Sequence, residues 1–276
     1  MKKAIVTKGI APLMKSPRLG SERVDEVLYG MVVEVIGEEI DGCYEVNTDY
    51  SYRGFIQESN LCFGEVHING SKGIKKKVVL NNFVDFLYRP RYNSMINLTV
   101  PKGAIVTVIG EPDENGFIRV SLCSDGEDVY VKEAHLREYR TKPVENEDKF
   151  REELVFTALS YLGTQYRWGG KSPLGIDCSG LVSMAYMING VNIYRDAKIM
   201  EGFPIKEIPY EDLKKGDLLY FPGHVAMYIG DGLYVHSTGK SGYDGVVINS
   251  LDSNDVNYRK DLAESLYAVG SIFNSQ

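Results

Sequence analysis

The fold class that this sequence predicts is two small all-β barrels followed by one α+β domain. Three observations carry that expectation: a segment that repeats itself, a change of hydrophobic period after residue 143, and a run of strands toward the C-terminus. In the repeat, residues 30–38 (GMVVEVIGE) are echoed by residues 103–111 (GAIVTVIGE). Each copy passes through a turn into a short alternating strand, residues 41–46 (DGCYEV) in the first and 115–120 (NGFIRV) in the second. Each then reaches a further β segment, residues 54–56 or 129–131, and ends at Asn60-Leu61 or His135-Leu136. Short alternating strands joined by Asp-Gly or Asn-Gly turns are the pattern of a small barrel. Placed on the chain, the barrels span residues 1–66 and 74–141, with Lys72 to Lys77 read as a solvated linker.

After residue 143 the period changes from two to between three and four. Phe150, Leu154, Val155, Ala158, Leu159 and Leu162 form one helical stripe that Gly163 can close. A glycine-rich loop follows at Trp168-Gly169-Gly170, with Trp168 read as packing or as a loop anchor. Asp177 to Ile188 again carries apolar residues at helical spacing, and Gly190 stands where it can stop the helix. From Gly216 onward the pattern is strand: residues 217–221, 224–229, 233–237, 246–248 and 266–272. Helices followed by a strand meander make an α+β domain, here residues 148–276. Asp217, at the start of the first of these strands, reads as structural.

Composition narrows the function classes. A net charge of −7 argues against a nucleic-acid arm or a polybasic membrane patch. No apolar run approaches the roughly 20 residues of a membrane-spanning helix. The first residues start like a leader peptide, but the apolar stretch ends far short of the roughly 7–15 residues that a leader needs. The chain is therefore expected in the cytoplasm, or outside it if a leader has been removed. The four cysteines, Cys43, Cys62, Cys123 and Cys178, make no CxxC pair, and the four histidines make no paired zinc spacing. Reduced thiols, mostly buried, are the expectation, with no metal and no organic cofactor.

One cysteine has unusual company. Cys178 stands at the start of the second helix, followed by the small residues Ser179 and Gly180. A helix N-terminus offers free N–H groups and the positive end of the macrodipole, which favour thiolate and can hold an oxyanion. A buried structural cysteine is the bland alternative. Two histidines weigh against it. His224 and His236 lie on two strands around Gly230-Asp231-Gly232, a strong hairpin pattern. With a three-residue loop His236 falls opposite Ala226, and His224 becomes its diagonal neighbour, about 7–8 Å away along the same face. One imidazole can then act as base toward a thiol while the other orients it. Asp177, just before the cysteine, is either a helix cap or a carboxylate for a substrate ammonium.

Four ordered segments resemble the NlpC-type peptidases, papain-like cysteine peptidases of bacterial cell-wall peptides: Tyr166 to Gly170, Asp177 to Val182, Leu213 to Leu218, and His224 to Gly230 leading to His236. The resemblance implies a papain-like catalytic domain with Cys178 as nucleophile, His224 as base and His236 as the orienting residue. It further implies that the two barrels are bacterial SH3-like domains, an arrangement similar to the γ-D-glutamyl-L-diamino acid endopeptidases. On that likeness Tyr166, Asp177 and Ser179 line the substrate pocket, Glu22 and Tyr52 of the first barrel close it, and Arg195 and Asp196 lie near the substrate. The expected partner is a murein peptide such as L-Ala-γ-D-Glu-L-Lys or its diaminopimelate analogue, bound by a monomer with no nucleic acid and no membrane. Two rival readings stand beside this one: a wall-binding module whose peptidase domain is inert, and a secreted hydrolase of intact wall with the barrels as adhesion modules.

Overall fold

The computed structural model describes residues 2–18, 20–63, 74–122 and 128–273. The chain divides into two compact units, Met1–Tyr139 and Arg140–Gln276. In the first unit the repeated sequence becomes a repeated sheet. Strands β1 (Lys2–Val6), β2 (Ile10–Met14), β3 (Arg23–Leu28), β4 (Val32–Ile40), β5 (Cys43–Thr48), β6 (Arg53–Gln57) and β7 (Leu61–Cys62) are ordered β3-β2-β6-β5-β4-β1-β7. The second sheet holds β8 (Ile74–Val79), β9 (Phe83–Leu87), β10 (Ile96–Pro101), β11 (Ile105–Ile109), β12 (Phe117–Ser121), β13 (Asp128–Lys132) and β14 (Leu136–Glu138). Its order, β10-β9-β13-β12-β11-β8-β14, is the first order advanced by seven strands. Equivalent alternating residues face inward in the two copies, Val33 and Val35 in β4 and Val106 and Val108 in β11.

The two sheets meet through backbone as well as side chains. The Ile105 N–H donates to the Tyr29 carbonyl at 2.8 Å, and the Tyr29 ring stands edge-on to Phe86 within the second sheet's core. Gly30 makes this approach possible. It has φ of +77°, and a Cβ there would lie 1.7 Å from the Ile105 carbonyl oxygen.

Two expectations are corrected in this unit. Residues 74–77 are not a linker, because they open β8. Lys77 is buried along its stem while its ammonium reaches Glu133 at 2.6 Å and Glu138 at 3.3 Å. Cys62 is disulfide-bonded, against the expectation of reduced thiols, whereas Cys43 and Cys178 are free. His67, Lys72, Cys123 and the junction expected at residues 67–73 lie outside the described residues.

The second unit contains α1 (Glu147–Leu159), α2 (Cys178–Ile188) and α3 (Lys260–Ala263), with a short ribbon of β15 (Lys171–Ser172) and β16 (Gly175–Ile176) before α2. Its main sheet is β17 (Lys206–Ile208), β22 (Ala268–Ser271), β18 (Leu218–Phe221), β19 (His224–Gly230), β20 (Leu233–Thr238) and β21 (Gly245–Ser250), in that spatial order. Asn146 caps α1 through the Lys149 N–H, and Phe150, Leu154 and Ala158 bury the predicted stripe. The helix ends at Leu159, so Leu162 falls outside it and is exposed. Helix α2 lies between α1 and strands β19 and β20. Asp217 is buried and accepts from Arg151 at 2.7 Å and from the Lys214 N–H at 2.8 Å, which makes it structural as expected.

The inter-sheet contact yields a test. Gly30→Ala should cost at least about 2 kcal/mol, from the left-handed backbone and the collision with Ile105 together. Gly37→Ala, also at positive φ but with nothing within 4 Å, should cost only about 1–2 kcal/mol. Denaturant midpoints of the two variants should differ in that order, and equal midpoints would contradict the role of Gly30.

Candidate active site

Helix α2 begins at Cys178 because Asp177 caps it. Asp177 Oδ1 accepts from the Gly180 N–H at 2.6 Å, and Oδ2 accepts from the Gly169 N–H at 2.8 Å. The same carboxylate takes both terminal nitrogens of Arg195, at 3.0 and 3.1 Å. Ser179 Oγ accepts from Arg195 at 2.7 Å and donates to Asp177 at 3.2 Å. All three side chains are buried. Two glycines let the loops close on this clamp. A Cβ on Gly180 would lie 2.2 Å from the Gly170 carbonyl, and one on Gly170 would lie 2.3 Å from the Gly175 carbonyl. The small residues around the cysteine are thus a packing requirement.

This geometry changes the reading of three predicted pocket residues. Asp177 is the helix cap, and its oxygens are occupied by five donors, so a substrate ammonium must displace one of them to reach it. Arg195 points inward to the clamp. Asp196, next in sequence, is half-buried and bonds to Tyr194. Tyr166 bridges to Ile176 and lies close enough to Cys178 and Asp177 that burial, followed by those two groups, pushes its phenol up to about 12. Trp168 is 60% exposed, so of the two expected roles, packing and loop anchor, burial in the core is not the one it plays. Glu22 and Tyr52 belong to the N-terminal unit, where Glu22 pairs with Lys15 at 3.0 Å and the Tyr52 N–H donates to Thr48.

The histidine hairpin forms with the predicted register at the histidines, although Gly230 is paired with Leu233 and an irregularity between Tyr228 and Gly230 takes the place of the expected three-residue loop. Met227 pairs with Val235, which puts Ala226 opposite His236 and His224 on the diagonal. His224 Nε2 and His236 Nδ1 are 2.7 Å apart, with the rings nearly perpendicular. Strand β20 is tied to the segment before the cysteine by Ser237, which donates to the Ile176 carbonyl at 2.6 Å. The Val225 N–H, adjacent to His224, is hydrogen-bonded to the Cys178 sulfur. Helix start and hairpin therefore meet at the sulfur.

Sequence reasoning missed Asn249. Its Oδ1 is 2.8 Å from His236 Nε2, and its Nδ2 donates to the Asn257 carbonyl at 2.8 Å. A polar residue ending the apolar run 246–248 was the available signal. Arg259 was also missed. It is buried, paired to Asp261 through two bonds of 2.8 Å, and its charge acts on both histidines. Among the described residues no group of three His, Cys, Asp or Glu side chains is placed to hold a metal ion.

Burial governs the charge state. It pushes the Cys178 thiol up to about 11, and Asp177 adds to the rise, outweighing the Val225 and Ser179 N–H groups and the Arg195 charge. The thiolate expected from the helix N-terminus is thus opposed by desolvation, and the resting sulfur is protonated. Burial, then His236 and Arg259, lowers His224 to about 3, and burial lowers His236 to about 4. Both rings are neutral bases at physiological pH.

The NlpC/P60 family matches residues 163–263, a span that holds Cys178, both histidines and Asn249. Dipeptidyl-peptidase 6 of Lysinibacillus sphaericus is 45% identical over 271 residues, covering 98% of this chain and 99% of that protein. The chain belongs to the NlpC/P60 family. The γ-D-glutamyl-L-lysine dipeptidyl-peptidase of Bacillus subtilis is 32% identical over 197 residues, 67% of this chain and 60% of that protein. The crystal structure of an NlpC/P60 family protein from Bacillus cereus superposes with a TM-score of 0.78 at 20% identity, covering 97% of this chain and 98% of that one. That likeness shows the same fold, mostly strands with few helices, in a second NlpC/P60 protein.

Two outcomes follow for this NlpC/P60 site. Arg195→Leu leaves Asp177 charged, buried and unpaired, and should cost about 3–5 kcal/mol, read from the thermal or denaturant midpoint. The histidines should resist protonation. Their folded values lie below the ordinary 6.5, so the unfolded chain binds protons that the native state does not. The stability they confer is full above pH 6.5 and is lost as pH falls through the folded values near 3–4. In ¹⁵N NMR both rings should remain neutral from pH 8 to pH 5, and protonation of either near pH 6.5 would contradict the assignment.

Proposed function

We propose that this NlpC/P60 protein is a cysteine peptidase that hydrolyses the bond between γ-D-glutamate and an L-diamino acid in short murein peptides. The supporting observation is the near full-length similarity to dipeptidyl-peptidase 6, joined to a cysteine at a helix N-terminus beside a hydrogen-bonded histidine pair. The N-terminal sheets, repeated in order and in sequence, are the SH3-like modules of that arrangement.

In this reading Cys178 Sγ attacks the γ-carbonyl carbon while His224 takes the thiol proton. Transfer during attack suits a protonated resting thiol facing a neutral base. The Cys178 backbone N–H, at the start of α2, helps hold the oxyanion. Collapse of the tetrahedral intermediate breaks the C–N bond, and His224 returns the proton to the departing amine. Water then hydrolyses the thioester with His224 again as base. By the family resemblance Tyr166 and Ser179 of the catalytic unit, with Asp196 near the substrate, receive the free L-alanine end of the peptide, while Asp177 is held by its own donors. Glu22 and Tyr52 are the residues of the N-terminal unit that the same resemblance assigns to substrate. Arg195 contributes indirectly, by neutralising Asp177. The enzyme acts as a monomer on peptides released from the wall, in the cytoplasm.

A second reading is favoured by the disulfide at Cys62, since such bonds persist in oxidising compartments. On that reading the same chemistry takes place outside the cell, with the N-terminal modules against the wall.

The test is mass spectrometry of products from L-Ala-γ-D-Glu-L-Lys, its diaminopimelate analogue, the N-acetylated tripeptide and intact peptidoglycan. Cleavage of the free tripeptides with at least about 30-fold lower kcat/KM on the acetylated form is expected, as a buried charged hydrogen bond is lost. Cys178→Ala should abolish turnover and His224→Ala should lower it about 10²–10⁴-fold, with His236→Asn milder. Equal turnover of free and acetylated peptides would overturn recognition of the free ammonium, and preference for intact wall would favour the second reading.

A further inference from the structure

We propose that Asn249 is a positioning residue for this reaction: it sets the tautomers of His224 and His236 so that the Nδ1 lone pair of His224 is left to receive the Cys178 proton. The proposal rests on the roles assigned above to Cys178 and the two histidines.

The hydrogen-bond chain starts from a group with no freedom. The Asn257 carbonyl can only accept, and it is held in place by the Ser250 N–H at 3.0 Å. The amide nitrogen of Asn249, 2.8 Å from that oxygen, must therefore be its donor, which turns Oδ1 toward His236. An amide oxygen only accepts, so His236 Nε2 carries the hydrogen of their 2.8 Å bond. A neutral imidazole has one N–H. His236 Nδ1 is then a bare lone pair, and the 2.7 Å contact with His224 must be donated by His224 Nε2–H. That spends the single N–H of His224 and leaves Nδ1 as its lone pair. Direction is passed from a backbone carbonyl to the base through three hydrogen bonds.

The opposite chain is blocked. It would set the His236 Nε2 lone pair against Asn249 Oδ1, two acceptors face to face with no water to intervene, since His236 and Asn249 are both buried. It would also put a hydrogen on His224 Nδ1, where it cannot take a proton from sulfur. The sheet builds the favoured order. In the register His236 pairs with Val247 and Tyr234 with Asn249, so Asn249 is one diagonal step from His236, as His224 is on the other side. The three side chains descend one face of β19, β20 and β21 in equal steps. The charged groups around them are the Arg259–Asp261 pair near both rings and the Asp177–Arg195 pair behind Cys178.

The experiment uses the full chain with ¹⁵N-labelled histidine, comparing wild type, Asn249→Leu and Asn249→Asp by long-range ¹H–¹⁵N correlation and by kcat and KM on L-Ala-γ-D-Glu-L-Lys. Wild type should show the Nε2–H tautomer at both rings. Asn249→Leu should populate the Nδ1–H form of His224 and lose about 10–100-fold in kcat with KM unchanged. Asn249→Asp keeps an acceptor for His236 and gives up the donor to the Asn257 carbonyl, so its second oxygen must turn from that carbonyl. It should retain both Nε2–H tautomers, recover most of kcat, and move the acid limb of the pH profile upward as its carboxylate stabilises imidazolium. Wild-type tautomers and kcat in Asn249→Leu would overturn the proposal. So would equal losses in both variants with an unmoved acid limb, the mark of a merely structural role. Should Asn249→Leu fail to fold, Asn249→Asp decides alone: an Nδ1–H tautomer at His224 while His236 still has its acceptor overturns the proposal. If wild type does not cleave the peptide, the reading of the reaction fails, while the tautomer comparison still decides the role of Asn249.

Discussion

A carboxylate and a guanidinium, both removed from water, hold the candidate active site together. Asp177 caps the helix that presents Cys178, fastens the loop at Gly169 and binds Arg195 from a third segment. Burying two charges costs several kcal/mol per ion, and the cost is offset only when geometry is good and the remaining lone pairs are used. Here they are used, by two backbone N–H groups and the Ser179 hydroxyl. The position of the sulfur is therefore set by a network that tolerates little partial loosening.

That choice has an electrostatic consequence for the chemistry. The clamp is neutral as a pair, but its negative member stands next to the thiol and its positive member is turned toward that negative charge. Burial adds to the effect, and the sulfur keeps its proton. The histidines, also buried, stay unprotonated. In the proposed mechanism the site waits as a chain of neutral groups, and separates charge only when a carbonyl is there to accept the sulfur's electrons. Such a site relies on orientation, because a neutral thiol is a weak nucleophile until its proton has a defined destination.

The N-terminal unit shows how a duplicated sequence avoids being two independent halves. Tyr29 leaves the first sheet to join the core of the second, and Ile105 of the second sheet donates back to the Tyr29 carbonyl. Shared core and shared backbone bond couple the stability of the copies. The lysine run at residues 75–77 is part of the same economy, since Lys77 lends its stem to the sheet and its charge to Glu133 and Glu138.

By itself the sequence determined whatever is written in neighbouring residues. The repeat, the Asp-Gly and Asn-Gly turns, the capped helix at Cys178 and the register of the His224–His236 hairpin are local patterns, and each was legible. The family resemblance was legible too, because its segments keep their order along the chain. Tertiary structure alone decided that Arg195 turns inward while Asp196 does not, that residues 74–77 belong to a strand, and that Asn249 stands behind His236. Each depends on a partner outside its own segment: Asp177 for Arg195, Glu133 for Lys77, and His236, across the β20–β21 pairing, for Asn249. The charge state was the least legible of all. A helix N-terminus favours thiolate when taken alone, but desolvation sums over every neighbour that displaces water, and those neighbours are assembled only by the fold.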